Sequence, residues 1–199
     1  MRLLITGGAG FVGAKTAISL SHRHPCWEVT AFDNLRRRGA ELNLRRLRVA
    51  GVAFVHGDVR VLDDLLCLGE LDALLECSAE PSALAGVEGS PDYVVNANLL
   101  GAYNWLELAR ARGAYVVFLS TSRVYPVEAM RALALEEAET RFELSNEQPM
   151  RGASAHGIAE QFPLEGARTL YGATKLCAEL LIEEYRATYG LRAVVNRCG

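Results

Sequence analysis

The sequence predicts an α/β fold, a doubly wound parallel sheet of about six strands, formed by a single domain over residues 1–199. Three observations predict this fold. Helix-like and strand-like patterns alternate along the whole chain. A glycine-rich turn separates a short apolar strand from the first helix, and hydroxyl side chains follow a later strand. Half of the residues are hydrophobic and 23% are charged, which is typical of a globular core.

The glycine-rich turn is the most informative stretch, and residues 1–13 read MRLLITGGAGFVG. Glycines fall three apart after Thr6, and the pattern G-x-G-x-x-G also fits when it is read from Gly8. Glycine permits a sharp turn, the approach of a diphosphate to the backbone, and close packing of helix on strand. The N–H groups and the positive dipole end of the helix then hold the phosphates. The predicted cofactor contacts in this turn are Gly7, Gly10, Phe11, Val12 and Gly13.

Carboxylates follow the second and third predicted strands, Trp27–Phe32 and Val52–His56. Asp33 would accept hydrogen bonds from the adenosine ribose and repel a 2′-phosphate, or it would only cap the strand in a turn. Asp58 would accept from the adenine amino group, or it would cap the helix predicted near Leu62–Leu68. The spacing of Asp33 from the glycines favours dinucleotide binding, whereas Asp58 considered alone favours the cap.

The remaining elements follow in the order that a doubly wound sheet requires. Small residues, Ser78 and Ala79, come after the fourth strand, as a backbone that lies against a cofactor requires. Asn98 interrupts a buried helix face, either to brace an active-site backbone or as an ordinary core polar residue. The predicted helices are Phe11–Ser21, Ala40–Ala50, Asp92–Arg112 and Tyr171–Tyr189, and the other predicted strands are Leu71–Cys77, Ala114–Leu119 and Leu191–Cys198.

Two further patterns predict chemistry at the same edge of the sheet. Ser120, Thr121 and Ser122 follow the fifth strand, where doubly wound sheets bind ligands, although a polar loop start has the same composition. Tyr171 and Lys175 are four apart, so they share one helix face. A nearby ammonium group lowers the tyrosine pKa from about 10 and makes the phenol a usable base. The alternative is an incidental surface pair.

A long insertion at about residues 126–168 is the least regular stretch of the domain. Its acidic run, Glu136, Glu137 and Glu139, predicts a solvated helix, and Gly152–Gly157 predicts a loop. Long insertions beside a candidate site often serve as lids or substrate walls, although some are only surface elaboration.

Composition and charge exclude several classes of protein. The net charge of −3 gives no reason to propose nucleic acid or a membrane surface as a partner. No apolar run approaches the ~20 residues of a membrane span. The five cysteines form no C-x-x-C pair and the histidines show no ligand spacing, so no metal site is predicted. Reduced cysteines, with no secretory signal, favour a cytoplasmic protein.

Together these residues resemble the extended short-chain dehydrogenase/reductase superfamily, in its NAD-dependent nucleotide-sugar epimerase/dehydratase branch. Within that branch they are most similar to CDP-paratose (tyvelose) 2-epimerase-like members. The motifs that carry the resemblance are T-G-x-x-G-x-x-G at Thr6–Gly13, the pairs Asp33-Asn34 and Asp58-Val59, Asn98, the segment Ser120–Tyr125, and Y-x-x-x-K at Tyr171–Lys175.

The resemblance implies three catalytic residues. Tyr171 would take a proton from a sugar hydroxyl, Lys175 would hold the nicotinamide ribose, and Thr121 would hydrogen-bond the reacting oxygen. It also implies a bound NAD that is regenerated in each cycle, a nucleotide-diphosphate sugar substrate, and a homodimer formed by the helices Asp92–Arg112 and Tyr171–Tyr189. The implied substrate contacts are Thr121, Ser122 and Arg123, and the implied cofactor contacts beyond the first turn are Asp33, Asn34, Arg37, Asp58, Val59, Ser78, Ala79, Asn98, Ser120, Tyr171 and Lys175.

Two features depart from the family pattern. Three arginines, Arg36 to Arg38, would meet a 2′-phosphate or lie on the adenine, but Asp33 leads us to favour NAD. The chain also ends at the sixth strand, before the C-terminal region with which the family grips its sugar. We therefore expect the cofactor half of the fold without the usual substrate subdomain. The alternatives are a non-catalytic dinucleotide-binding module and a simple reductase that releases NAD(P)H in each cycle.

Overall fold

The computed structural model describes residues 1–87 and 89–199, and six of its strands form one parallel sheet. In chain order these strands are β1 (Arg2–Thr6), β2 (Glu28–Asp33), β3 (Ala53–His56), β4 (Ala73–Glu76), β5 (Tyr115–Thr121) and β10 (Ala193–Cys198). Their spatial order is β10-β5-β4-β1-β2-β3. Strand order reverses between β1 and β4, and ligands bind outside the carboxyl ends of strands at such a point. The predicted doubly wound sheet is confirmed.

Helices cover both faces of this sheet. They are α1 (Phe11–Arg23), α2 (Asn43–Val49), α3 (Leu62–Leu66), α4 (Asp92–Val95), α5 (Gly101–Arg112), α6 (Val127–Arg131) and α7 (Leu170–Tyr189). Glu88 lies outside the described residues, within the stretch where the sequence predicts a loop between β4 and α4.

The core divides into two layers because successive strand residues point to opposite faces. One layer packs α1 and α2 on the sheet through Leu3, Ile5, Ala14, Ala17 and Leu47. The other packs α5 and α7 through Leu4, Leu74, Trp105, Phe118 and Ile182. Full burial of each large apolar side chain stabilises the folded state by about 1.5–3 kcal/mol. The side chains of both layers together offset the conformational entropy that the chain loses on folding.

Two predicted boundaries differ near the site. The long helix predicted over residues 92–112 is divided by a π-helical turn, Asn96–Leu100, between α4 and α5. Strand β5 extends two residues beyond its predicted end, because β10 pairs with it as far as Thr121. Ser120 and Thr121 therefore lie within the strand, and only Ser122 begins the following 3₁₀ turn, Ser122–Val124.

The insertion contains two short hairpins, and both sequence predictions for it are wrong. Strand β6 (Leu135–Glu137) pairs antiparallel with β7 (Phe142–Leu144), so the acidic run begins in a strand rather than a helix. Strand β8 (Ala153–Ser154) pairs with β9 (Gly157–Ile158) where a loop was expected. The physical reason is pairing between segments, because cross-strand hydrogen bonds outweigh the weak local preference of glutamate for helix.

A small apolar cluster fixes the insertion beside the end of β5. Val124, Tyr125 and Phe162 are buried together, and the rings of Tyr125 and Phe162 meet edge to face with centroids 5.4 Å apart. Leu176 of α7 packs against the same cluster. The insertion is therefore anchored to the helix that carries Tyr171 and Lys175.

Candidate active site

A cavity of about 740 Å³ opens at the carboxyl ends of β1 to β4, at the reversal of strand order. Twelve residues that the sequence predicts as cofactor contacts line it: Gly7, Gly10, Phe11, Val12, Gly13, Asp33, Asn34, Arg37, Asp58, Val59, Ser78 and Ala79. The other predicted site residues lie outside this lining, on α7, on the π-helical turn, and at the end of β5 with the turn that follows it.

The glycine turn forms a cradle that side chains would fill. Gly7 has a φ of +61°, and a Cβ atom there would lie 2.7 Å from the carbonyl oxygen of Cys77. Gly10 precedes α1 in extended conformation without a side-chain cap, so the first N–H groups of the helix remain available to a ligand. Oriented N–H groups at a helix start suit the phosphates of a dinucleotide. The geometry therefore fits the diphosphate group that the sequence predicts.

Asp33 has the position expected for a ribose contact. Its carboxylate accepts from the backbone N–H of Ala9 at 3.1 Å and from that of Leu35 at 2.8 Å. These bonds hold the acidic group beside the glycine turn and stabilise the loop after β2. Turn capping and ligand binding are therefore compatible roles for this residue.

The helix-cap interpretation of Asp58 is wrong. The residue that precedes α3 is Val61, which provides no side-chain cap. Nη2 of Arg60 donates instead to the Asp58 carboxylate at 2.6 Å, and Nδ2 of Asn34 donates to it at 2.9 Å. Burial raises the pKa of Asp58, but these hydrogen bonds outweigh burial and hold that pKa at about 2. An ionised carboxylate thus ties the ends of β2 and β3 together at the cavity.

Asn98 braces the backbone that follows β4. Its Oδ1 accepts from the N–H of Glu80 at 2.8 Å, and its Nδ2 donates to the carbonyl of Glu80 and to Oγ1 of Thr174, both at 3.2 Å. The π-helical turn places this amide between β4 and α7. The structure favours the bracing alternative over an ordinary core polar residue.

The predicted catalytic hydroxyls meet at the start of α7. Thr121 is buried, and its Oγ1 accepts from the backbone N–H of Arg123 at 3.2 Å. The Thr121 side chain is also close enough to the phenol of Tyr171 to lower its pKa. Gly172 permits this approach, because any Cβ there would overlap the carbonyl group of Arg123. The structure therefore brings Thr121 and Tyr171 together as the sequence predicts.

The predicted effect of Lys175 on the tyrosine is wrong. Burial raises the pKa of Tyr171, and the nearby Thr121 side chain lowers that pKa less. Within residues 1–87 and 89–199, the Lys175 ammonium is not among the groups that lower it. Nζ of Lys175 donates instead to the carbonyl of Leu119 at 3.0 Å and lies 4.5 Å from the ring centroid of Phe118. Spacing on a helix places two residues on one face, but it does not determine where a long side chain ends.

Sequence reasoning missed a partly buried ion pair behind the hydroxyl cluster. The Glu179 carboxylate accepts from Nη2 of Arg197 at 2.7 Å and from the hydroxyl of Ser120. Arg197 also donates to the phenol oxygen of Tyr125 at 3.3 Å, which connects β10 and α7 with the turn after β5. Glu179 follows Lys175 by four residues, so the sequence places both on the same face of α7. That spacing was the one sequence feature that could have predicted Glu179 near the site.

The cavity mouth carries a second contact that the sequence did not indicate. The guanidinium of Arg36 lies 3.9 Å from the ring centroid of Tyr93, and that of Arg60 lies 4.9 Å from it. One of the three arginines after β2 is therefore held on an aromatic ring. Arg37 remains in the cavity lining, as predicted.

These features define a dinucleotide-binding α/β protein with a tyrosine, a lysine and a threonine beside the cofactor crevice. The profile of the NAD dependent epimerase/dehydratase family matches residues 3–199. The chain belongs to this family, whose cofactor is NAD, and the predicted cofactor and family are confirmed.

Curated relatives agree with this assignment. The chain is 29% identical over 199 residues to dTDP-glucose 4,6-dehydratase of Mycobacterium tuberculosis, covering 100% of this chain and 53% of that protein. It is 30% identical over 204 residues to CDP-paratose 2-epimerase of Salmonella typhi, covering 99% and 56% respectively. The chain thus spans about half the length of the curated relatives it matches.

Solved structures show the same fold. A double mutant of dTDP-glucose 4,6-dehydratase from Streptomyces venezuelae, with NAD bound, superposes with a TM-score of 0.74 at 28% identity, covering 100% of this chain and 55% of that one. UDP-glucose 4-epimerase of Thermus thermophilus, in complex with NAD, superposes with a TM-score of 0.71 at 28% identity, covering 99% and 54%.

Membrane-spanning helices and metal clusters are both absent from the described part of the chain. Apart from Glu88, which the structure does not describe, no helix combines the length and apolar character needed to cross a bilayer. Over the same residues, no cluster of His, Cys, Asp and Glu side chains is arranged to hold a metal ion.

Proposed function

We propose that this chain provides the NAD-binding and catalytic half of a nucleotide-sugar epimerase or dehydratase. The observation that carries the proposal is the placement of Thr121, Tyr171 and Lys175 next to a crevice shaped for a dinucleotide. The family assignment and the relatives named above support the same class of reaction.

The glycine turn and Asp33 would hold the cofactor. The N–H groups at the start of α1 would bind its diphosphate, and Asp33 would accept from the adenosine ribose hydroxyls. A carboxylate at this point repels a 2′-phosphate, so we propose NAD rather than NADP. Arg36 supports this choice, because its guanidinium lies on Tyr93. The remaining proposed contacts are Asn34, Arg37, Asp58, Val59, Ser78, Ala79, Asn98 and Ser120.

The chemistry would combine this cofactor with proton transfer by the protein. When bound, NAD accepts a hydride from a sugar carbon and later returns it. Tyr171 would take the proton of the sugar hydroxyl, and Thr121 would hydrogen-bond the reacting oxygen. Lys175 would orient the nicotinamide ribose. Because burial raises the pKa of Tyr171 in this structure, we expect ligand contacts to favour its ionised form during catalysis.

The proposed substrate is a nucleotide-diphosphate sugar. Thr121, Ser122 and Arg123 follow one another at the end of β5, and the Arg123 side chain is exposed to a prospective anionic ligand. The insertion is anchored beside these residues through Tyr125 and Phe162, and it would form one wall of the substrate site.

We also propose a homodimer in the cytoplasm. Leu100, Tyr103 and Leu180 expose apolar side chains on the neighbouring helices that the family pairs. Five free cysteines support a reducing compartment.

The test of this function is the variant Tyr171→Phe, which removes only the phenolic hydroxyl. Wild-type protein is incubated with NAD⁺ and with dTDP-glucose, UDP-glucose or a CDP-hexose, and the sugars are followed by NMR. We expect an epimerised or dehydrated sugar without net NADH, and a loss of roughly 10²–10⁴-fold in turnover for Tyr171→Phe.

Tyr189→Phe is the matched control, since it removes the same group from the exposed end of α7. Wild-type turnover by Tyr171→Phe would refute the assigned base. NADH accumulation in step with product would instead indicate a simple reductase. Binding of NAD⁺ with none of these sugars converted would favour a non-catalytic module.

A further inference from the structure

A carboxylate occupies the middle of a buried layer of the sheet. In-register partners on parallel strands present their side chains to the same face. At the level of Glu76, the row across β2, β1, β4, β5 and β10 is Phe32, Thr6, Glu76, Phe118 and Val195. Glu76 is only 1% exposed, so an ionisable group stands where the strand pattern requires an apolar residue.

Each carboxyl oxygen of Glu76 has a hydroxyl partner. The hydroxyl of Thr6 donates to Oε2, and the hydroxyl of Ser78 donates to Oε1. A carboxylate can accept at both oxygens, so these two hydroxyls satisfy Glu76 when it is ionised. A buried negative charge is costly unless an opposite charge lies close to it.

Lys175 supplies that charge from above the same row. It is 4% exposed, and its Nζ lies 4.5 Å from the ring centroid of Phe118, the in-register neighbour of Glu76. The carbonyl of Leu119 accepts one of its protons at 3.0 Å. The ammonium and the carboxylate thus share the face of the sheet that α7 covers.

Other titratable groups near Lys175 affect its pKa less than Glu76 does. Cys77, Cys198 and Glu179 also face Lys175, but Glu76 is the charge with the largest effect on it. Burial lowers the pKa of Lys175 and raises that of Glu76, and each charge offsets part of this effect on the other. Glu179 is engaged by Arg197 at 2.7 Å.

We propose that Glu76 is the internal counter-ion of Lys175, which holds the lysine as an ammonium group beside the crevice before any ligand binds. Glu76 is a positioning residue in this account, and its relevance to catalysis rests on the proposed function.

The test uses the small number of lysines in this chain. Lys15 and Lys175 are the only two, and Lys15 is exposed, so it provides a surface reference in the same spectrum. Protein labelled with ¹³C and ¹⁵N in lysine is titrated by NMR without ligand. We expect Glu76→Gln to increase the acid dissociation constant of Lys175 by at least about tenfold, which is one pKa unit. Ser78→Ala, which removes a hydrogen bond but no charge, should change it much less.

A second variant keeps the proposal testable if Glu76→Gln does not fold. Lys175→Met removes the partner charge, and Glu76 should then be protonated at pH 7 and give a carboxylic acid band in the infrared difference spectrum. An unchanged Lys175 titration in Glu76→Gln, or no such band in Lys175→Met, would overturn the pairing. Both readouts use ligand-free protein, so absence of NAD binding or turnover would refute the proposed function and leave this result unaffected.

Discussion

Asp58 illustrates how one carboxylate organises the cofactor crevice. Burial raises its pKa, yet hydrogen bonds from Arg60 and Asn34 hold it at about 2. Because this value lies below the ~3.9 of an unfolded aspartate, ionisation stabilises the fold. The stabilisation is complete above the unfolded pKa and is lost as the pH falls towards the folded pKa.

We therefore predict that Asp58→Asn changes the pH dependence of stability. The free energy of unfolding of wild type should fall between about pH 4 and pH 2, and that of the variant should fall less over this interval. Urea titrations at several pH values measure the difference. Arg60→Gln, which keeps the carboxylate but removes its main partner, should behave like Asp58→Asn. Parallel curves for wild type and both variants would contradict this assignment.

Individual site residues were predictable where a local rule governs them. The glycine turn and Asp33 follow from steric and hydrogen-bonding requirements that the sequence displays directly. The side-chain direction of Lys175 does not follow from the sequence, because it depends on Glu76 in β4 and on Phe118 and Leu119 in β5. The raised pKa of Tyr171 has the same origin, since burial is a property of the folded molecule.

The π-helical turn between α4 and α5 is the element that connects the crevice to α7. It places the buried amide of Asn98 against the backbone of Glu80 and against Thr174. Without this amide the polar groups of Glu80 would lose their partner near the cavity, and such a loss is costly.

We predict that Asn98→Leu destabilises the protein by about 1–3 kcal/mol, the usual cost of unsatisfied buried polar groups. Asn96→Ala is the control, because Asn96 is exposed on the same turn and, among residues 1–87 and 89–199, its side chain bonds only the carbonyl of Asp92. It should cost about 0.5 kcal/mol or less. Denaturant unfolding compares the two variants. Equal losses would show that Asn98 has no special bracing role.

Elements were predicted well where hydrophobic periodicity is strong, and less well elsewhere. The six strands and α7 follow from local patterns. The hairpin of β6 and β7 could not be predicted from a local pattern, because it depends on hydrogen bonds across a turn rather than on the acidic run itself. The extra residues of β5 likewise depend on β10, a partner more than 70 residues away in sequence.

The proposed dimer belongs to the scale of the whole molecule. Leu100 and Tyr103 are each 43% exposed and Leu180 is 54% exposed, although all three are apolar. Exposed apolar side chains on neighbouring helices are typical of a surface that another subunit covers.

We predict that Tyr103→Glu combined with Leu180→Glu converts the dimer to a monomer, since association would bury two new charges. Analytical ultracentrifugation over a range of protein concentrations measures the change. Val49→Glu, on the exposed side of α2, is the control and should leave the association unchanged. A wild type that sediments as a monomer throughout would contradict the proposed dimer.

The most direct test of the central claim is a native mass spectrum of this chain with NAD⁺, and separately with NADP⁺. The account predicts one NAD per chain, weaker binding of NADP because of Asp33, and no NAD adduct for Gly10→Val, whose side chain would enter the cavity lined by Gly10. A chain that binds no NAD⁺, or a Gly10→Val variant that binds it as well as wild type, would contradict the dinucleotide cradle on which the proposed function depends.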